Sequence, residues 1–139
     1  MTMPSQGVIA HLSLDDAAAA IAFYEKAFGA KEVMRVSAED GRRLMHAEIT
    51  INGARVFLMD DFPEYRDAAK ENVVPPRMSG ATSVTLHLSV EDCDAAVERA
   101  EAAGARVTMA AHDAFWGDRY ARLIDPFGHS WSLAHTIVV

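Results

Sequence analysis

The hexamer His11-Leu12-Ser13-Leu14-Asp15-Asp16 returns later in the chain as His87-Leu88-Ser89-Val90-Glu91-Asp92, and each copy leads into an alanine-rich run closed by Gly-Ala, at Gly29-Ala30 and at Gly104-Ala105. The correspondence continues downstream. Gly41 opens the run Arg42 to Ile51, which closes on Asn52-Gly53 and restarts at Ala54; Gly117 opens Asp118 to Ile124, which closes on Asp125-Pro126-Phe127-Gly128 and restarts at His129. Matched landmarks keep an offset of 75 or 76 residues. A constant offset over most of a chain marks an internal repeat, two copies of one supersecondary unit.

Each copy reads as strand, helix and three strands. Val8 to Leu14 has the length and alternation of a strand, and Asp15 or Asp16 is placed to cap the helix that follows by accepting from its free N–H groups. Ala17, Ala20, Ile21, Tyr24 and Phe28 recur at three- and four-residue spacing, an apolar stripe for a sheet. Lys31 to Ser37 and Leu44 to Ile51 follow as strands, the latter with Ala47, Ile49 and Ile51 on one side and His46, Glu48 and Thr50 on the other. Asn52-Gly53 is a two-residue hairpin signal, so Ala54 to Met59 is the returning strand. The second copy repeats this order with a strand over Ser83 to Val90, a helix from about Asp92 to Ala103, and strands near Arg106 to Ala110, Arg119 to Ile124 and Ser130 to Ile137.

The 139 residues suit one domain. The expectation is a single domain over residues 1–139, with βαβββ units at about 7–60 and 83–137 and a proline- and charge-rich connector at about 61–82. Half of the residues are hydrophobic, enough for a core, while a net charge of −7 with no cluster of Lys and Arg argues against nucleic acid as a partner. One cysteine makes no intramolecular disulfide, Met1 to Gln6 lacks the regions of a signal peptide, and no apolar run would span a membrane. These features point to a cytoplasmic protein.

A duplicated βαβββ unit of this length resembles the vicinal oxygen chelate superfamily, the fold of glyoxalase I, bleomycin-resistance proteins and extradiol dioxygenases. Ala19 to Ala30 with its Phe23-Tyr24 pair, His46-Ala47-Glu48, Phe115 to Tyr120, and Asp125 to Trp131 are similar to the PhnB-like branch. The resemblance implies an α+β fold in which the two units form a curved, cup-shaped mixed sheet with helices outside, a homodimer, and a small organic ligand in the cup. Metal-using members place one ligand on the first and one on the last strand of each unit. Registering on Phe23-Tyr24, Gly53, Gly104 and Gly128 puts those positions at Ile9, Phe57, Thr85 and Ser132, none a good ligand for a divalent metal. The expectation is therefore a cup without the usual metal and without another cofactor. The alternative is a divalent metal in a displaced site of His11, His46, Glu48 and His87, two residues along the same strand faces.

Glu48 and Arg122 stand at matching places in the copies, each one residue after an alanine. They are expected to pair or to share a ligand, with Glu48 as a general base whose pKa is raised by desolvation and Arg122 assisting. His11, His46, Phe57 and His87 are candidate ligand-binding residues on the strand faces. Trp116 and Tyr120, in the most aromatic stretch of the chain, would stack a flat guest. Cys93, in the first turn of the second helix, would have its thiol pKa lowered by the macrodipole if exposed, and otherwise is a small buried residue. Three functions follow from this set: a small-molecule-binding protein or metal-independent enzyme, a metal-dependent lyase or dioxygenase using the displaced site, and an antibiotic-sequestering resistance protein.

Overall fold

A computed structural model of the chain describes residues 6–138; Met1 to Ser5, read above for a signal peptide, lie outside them. The chain divides into two compact units, one holding residues up to Glu25 with Gly29–Pro75 and the other holding Lys26–Phe28 with the residues from Pro76 onward. Each unit has its own four-stranded mixed sheet, giving the α+β fold of two βαβββ units expected from the repeat.

The first repeat runs β1 (Ala10–Leu14), α1 (Ala17–Phe28), β2 (Lys31–Ser37), β3 (Leu44–Ile51) and β4 (Ala54–Asp60), and its strands form a sheet in the order β1-β4-β3-β2. β1 runs parallel to β4, and the other pairs are antiparallel. The strand begins at Ala10 rather than Val8 because Gln6 reaches in with its side chain, Oε1 accepting from Arg55 N at 2.6 Å and Nε2 donating to Arg55 O at 3.2 Å. The amide of Gln6 replaces the backbone partner, and Val8 is left 92% exposed. Asn52 and Gly53 both have positive φ, 50° and 83°, which a two-residue hairpin needs and which glycine adopts without cost. That turn fixes the register Ile51↔Ala54, Thr50↔Arg55 and Glu48↔Phe57.

The second unit repeats the plan, with β5 (Thr85–Ser89), α3 (Cys93–Ala103), β6 (Arg106–Asp113), β7 (Asp118–Ile124) and β8 (Ser130–Thr136) in the order β5-β8-β7-β6. β6 extends past Ala110 to Asp113, crossing two irregularities in its pairing with β7 that break the alternation a sequence reading relies on. β5 starts at Thr85 rather than Ser83; ahead of it Thr82 folds its hydroxyl onto Val84, taking that residue out of the ladder. The connector holds one 3-10 turn (Pro63–Tyr65) and a short helix, α2 (Pro76–Ser79). Among the described residues no helix is long and apolar enough to cross a membrane.

The expected apolar stripe of α1 is buried in full, with Ala17, Ala20 and Tyr24 at 0% exposure. On β3 and β4, Leu44, Ala47, Ile49, Ile51, Val56 and Leu58 are buried while the residues between them are not, so one sheet face is core and the other is free for function. Asp16 caps α1 by accepting from Ala19 N at 3.1 Å, and Asp92 caps α3 by accepting from Ala95 N at 3.1 Å. A second pin lies at each helix start. Buried Asp60 accepts from Ala17 N at 2.8 Å through Oδ1 and from Leu44 N at 2.6 Å through Oδ2, and His135 Nδ1 accepts from Cys93 N at 2.8 Å in the second unit.

Candidate functional site

The functional face of the first sheet is built across β1, β4 and β3. His11 lies beside Phe57, Phe57 lies beside Glu48, and His46 shares their side of β3. The rings of His11, His46 and Phe57 meet edge to face, with centroids 5.9 Å apart for His11–His46, 5.8 Å for His11–Phe57 and 4.8 Å for His46–Phe57. Such contacts contribute roughly 0.5–1.5 kcal/mol each. His11 is exposed as a residue, but these rings cover part of its imidazole. That desolvation, helped by the nearby His46, lowers its pKa below the ordinary value.

Glu48 has a partner within its own sheet. Its carboxylate is gripped by Arg55, Nε donating to Oε2 and Nη2 to Oε1, both at 3.0 Å, and the Arg55 guanidinium also lies 5.1 Å from the centre of the Phe57 ring. The Asn52-Gly53 turn causes this, because it sets Arg55 opposite Thr50 and therefore diagonal to Glu48 on one face. The Arg55 bonds hold the Glu48 pKa below its ordinary value, the reverse of the desolvated, raised carboxylate expected from sequence. With both oxygens occupied and its affinity for a proton reduced, Glu48 is ill suited to act as a base near neutral pH.

The second sheet carries a different surface in equivalent places. His87 lies beside Ser132 and Ser132 beside Arg122, which gives Arg122 the register position that Glu48 has in the first sheet. His87 Nδ1 and Ser132 Oγ are 2.7 Å apart, Thr85 Oγ1 and Ser130 Oγ are 2.9 Å apart, and Arg122 Nη2 donates to Thr85 Oγ1 at 2.8 Å. A ladder of rings continues along β7. His87 stacks at 6.4 Å and 14° on Tyr120, and Tyr120 is met edge-on by His112 at 6.1 Å and by Trp116 at 5.3 Å. Trp116 is 53% exposed and its indole N–H donates to Asp118 Oδ2 at 3.1 Å; Phe115 beside it is 98% exposed.

The candidates thus fall into two sets, His11, His46, Glu48 and Phe57 on the first sheet and His87, Trp116, Tyr120 and Arg122 on the second. Sequence reasoning did not name Arg55 as the partner of Glu48, although the hairpin register alone would have placed it there. It also passed over His112, hidden by the irregular pairing of β6, and His135, whose ring serves the start of α3. The positions registered from the family's metal-using members carry no ligand for a divalent metal in this chain. At the family's ligand positions Thr85 and Ser132 are hydrogen-bonded to neighbours, Phe57 sits among rings, and Ile9 has no donor. In the displaced set both oxygens of Glu48 are taken by Arg55, and among the described residues no three His, Cys, Asp or Glu side chains converge to share an ion. Cys93 is fully buried, and burial pushes its thiol pKa up instead of down.

Comparison with known proteins bears on the whole chain. The family model for the Glyoxalase/Bleomycin resistance protein/Dioxygenase superfamily matches residues 8–133. An uncharacterised protein of Mycobacterium bovis is 49% identical over 127 residues, covering 91% of this chain and 81% of that protein. Among solved structures, TioX from Micromonospora sp. ML1 superposes with a TM-score of 0.73 at 23% identity, covering 96% of this chain and 100% of the other. A PhnB protein from Bacillus cereus does so with a TM-score of 0.70 at 18% identity, covering 94% and 100%. Two like units of one sheet each, in the same βαβββ order and matched along residues 8–133, place this chain in the glyoxalase/bleomycin resistance protein/dioxygenase superfamily.

Proposed function

We propose that the protein binds a small planar organic molecule on the ring-lined face of its second sheet, without a resident metal, in the manner of a PhnB-like binding member of the superfamily. The observation that carries this reading is the ladder of His87, Tyr120, His112 and Trp116, which ends in a tryptophan more than half exposed. Flat rings with few rotatable bonds offer contact area at little entropic cost, and a guest that covers them removes apolar surface from water. Arg122 and the Thr85 and Ser130 hydroxyls stand beside the ladder as orienting polar groups. Binding is favoured over catalysis because the carboxylate put forward from the sequence as a base, Glu48, is held by Arg55. Sequestration of an aromatic antibiotic is one form that such binding takes.

The test is saturable quenching of tryptophan emission by a neutral nitroaromatic, 4-nitrobenzyl alcohol, in the full chain. Trp131 is buried, with its indole N–H held by Asp125, so the quenched emitter is expected to be Trp116. Trp116→Phe should abolish the quenching, and Tyr120→Ala should weaken it. Quenching that never saturates, or that survives Trp116→Phe, sinks the proposal.

A further inference from the structure

The arginines of this acidic chain are unevenly balanced. Arg35, Arg43, Arg55, Arg66 and Arg119 each lie within salt-bridge distance of a carboxylate. Arg106 and Arg122 have no such partner among the described residues, and both line one groove of the second unit, of about 650 Å³, together with Arg77. The rest of the lining includes the hydroxyls of Thr82, Thr85 and Ser130 and no Asp or Glu. The groove is also a built feature. Arg106 pairs with Ile124 across β6 and β7, so it stands diagonal to Arg122 on the same face, and Arg122 is steered by its bond to Thr85. Arg77 comes from α2, where it donates to Pro126 O at 2.9 Å and lies over the Phe127 ring. α2 sits that close because Gly128 has no side chain; a Cβ there would be 2.8 Å from Pro76 Cβ.

Two guanidinium groups, Arg106 and Arg122, without a carboxylate partner among the described residues and set around hydroxyls in a groove lined by no Asp or Glu, form a receptor for an oxyanion. Guanidinium forks match the spacing of carboxylate or phosphate oxygens, and the hydroxyls supply further donors. Arg122 and Tyr120 are two residues apart on one strand face, or about 7 Å along β7, the span of a benzene ring with a substituent. We propose that this groove takes the anionic head, a carboxylate or a phosphate monoester, of an aromatic ligand whose ring lies against Tyr120 and Trp116. The ring half of the statement rests on the function proposed above; the groove stands on its own.

The experiment uses matched probes on the full chain: 4-nitrobenzoate, 4-nitrophenyl phosphate and neutral 4-nitrobenzyl alcohol by tryptophan quenching, with acetate and inorganic phosphate followed by amide NMR. At least one aromatic anion should bind about tenfold or more tighter than the alcohol, as expected for charge-assisted bonds to two guanidinium groups. The preference should weaken with added salt and fall toward one in the Arg106→Gln/Arg122→Gln double variant, with Arg106→Gln alone as the milder, surface-only change. The better of the two anions assigns the head group. Acetate or phosphate should saturably shift the Thr85 and Ser130 amides. Equal binding of anions and alcohol, or a preference that survives the double variant, overturns the groove. Saturable shifts with the ringless anions, but no quenching by any aromatic, would keep the groove and refute the ring face; silence in both assays refutes both.

Discussion

Replacing Asp60 with Ala should destabilise the chain by about 3–6 kcal/mol. The side chain is 5% exposed, and its two oxygens accept from two separate backbone donors, Ala17 N in the first turn of α1 and Leu44 N at the start of β3. A hydrogen bond to a charged group is worth roughly 1.5–3 kcal/mol, and a buried donor left without a partner costs a similar amount because water cannot reach it. Asp60→Asn keeps one acceptor but turns an NH₂ toward the other donor, so about half of the loss should remain. Against a total stability of roughly 5–15 kcal/mol for a domain, the Ala variant should be marginal. Urea unfolding followed by circular dichroism reads the effect; with a slope of about 1.5 kcal/mol per molar, the midpoint should move by about 2–4 M. The internal comparison is His135→Ala, which removes one neutral acceptor from Cys93 N and should cost about 1 kcal/mol. A loss below about 1 kcal/mol for Asp60→Ala, or equal losses for Asn and Ala, would refute the two-donor account.

Gly128→Ala should cost about 1–3 kcal/mol by the same assay, since the new Cβ would meet Pro76 at 2.8 Å in a backbone with φ of 91°; an unchanged midpoint would show that α2 shifts freely. The Glu48–Arg55 pair predicts a pH effect. Because the folded pKa of Glu48 lies below its ordinary 4.5, the unfolded chain binds more protons in that window, so the pair's contribution is present above about pH 4.5 and is lost as pH falls through the lowered folded value. Arg55→Gln should move the Glu48 carboxyl titration, read by carbon NMR, back up toward 4.5, and no movement would remove Arg55 as its cause. Cys93, buried with its thiol pKa raised and Sγ directed at Leu133 O, should react with a disulfide reagent at pH 8 only as fast as the chain opens; reaction at the rate of a free thiol would contradict its burial.

The fold was legible because its determinants are local and occur twice. The alternation around Ala47, Ile49 and Ile51, the Asn52-Gly53 turn and the Asp16 and Asp92 caps each specify their own element, and the repeat confirms each reading once more. Strand ends were less legible where a side chain takes over a backbone's role. Gln6 on Arg55 and Thr82 on Val84 shorten β1 and β5 by bonds that no periodicity records. At the site, the alternation put His11, His46, Glu48 and His87 on the correct strand faces but did not name the residue that holds Glu48. Repeat symmetry names equivalent positions such as Glu48 and Arg122, whereas the bond from Arg55 to Glu48 follows from the β3–β4 register. The arginine groove was least visible. Arg77 comes from α2, which has no counterpart in the first copy, and Arg106 and Arg122 become adjacent only through the β6–β7 register.

The two hairpins that close β3–β4 and β7–β8 hold their shape by different means, and this bears on how the chain finds its fold. Asn52-Gly53 sets its register with two backbone conformations and needs nothing distant. The Asp125–Gly128 turn is held by a buried carboxylate that accepts from Phe127 N, His129 N and the Trp131 indole, so it is secured only once Trp131 is enclosed. A hairpin of the first kind closes in about 1–10 μs on its own, whereas one of the second kind waits for the core. Substitutions at Asn52 or Gly53 are therefore expected to slow refolding, and substitutions at Asp125 to hasten unfolding, in stopped-flow chevrons. The repeat, symmetric in architecture, would then be asymmetric in time, with the first copy nucleating and the second setting how long the folded state lasts.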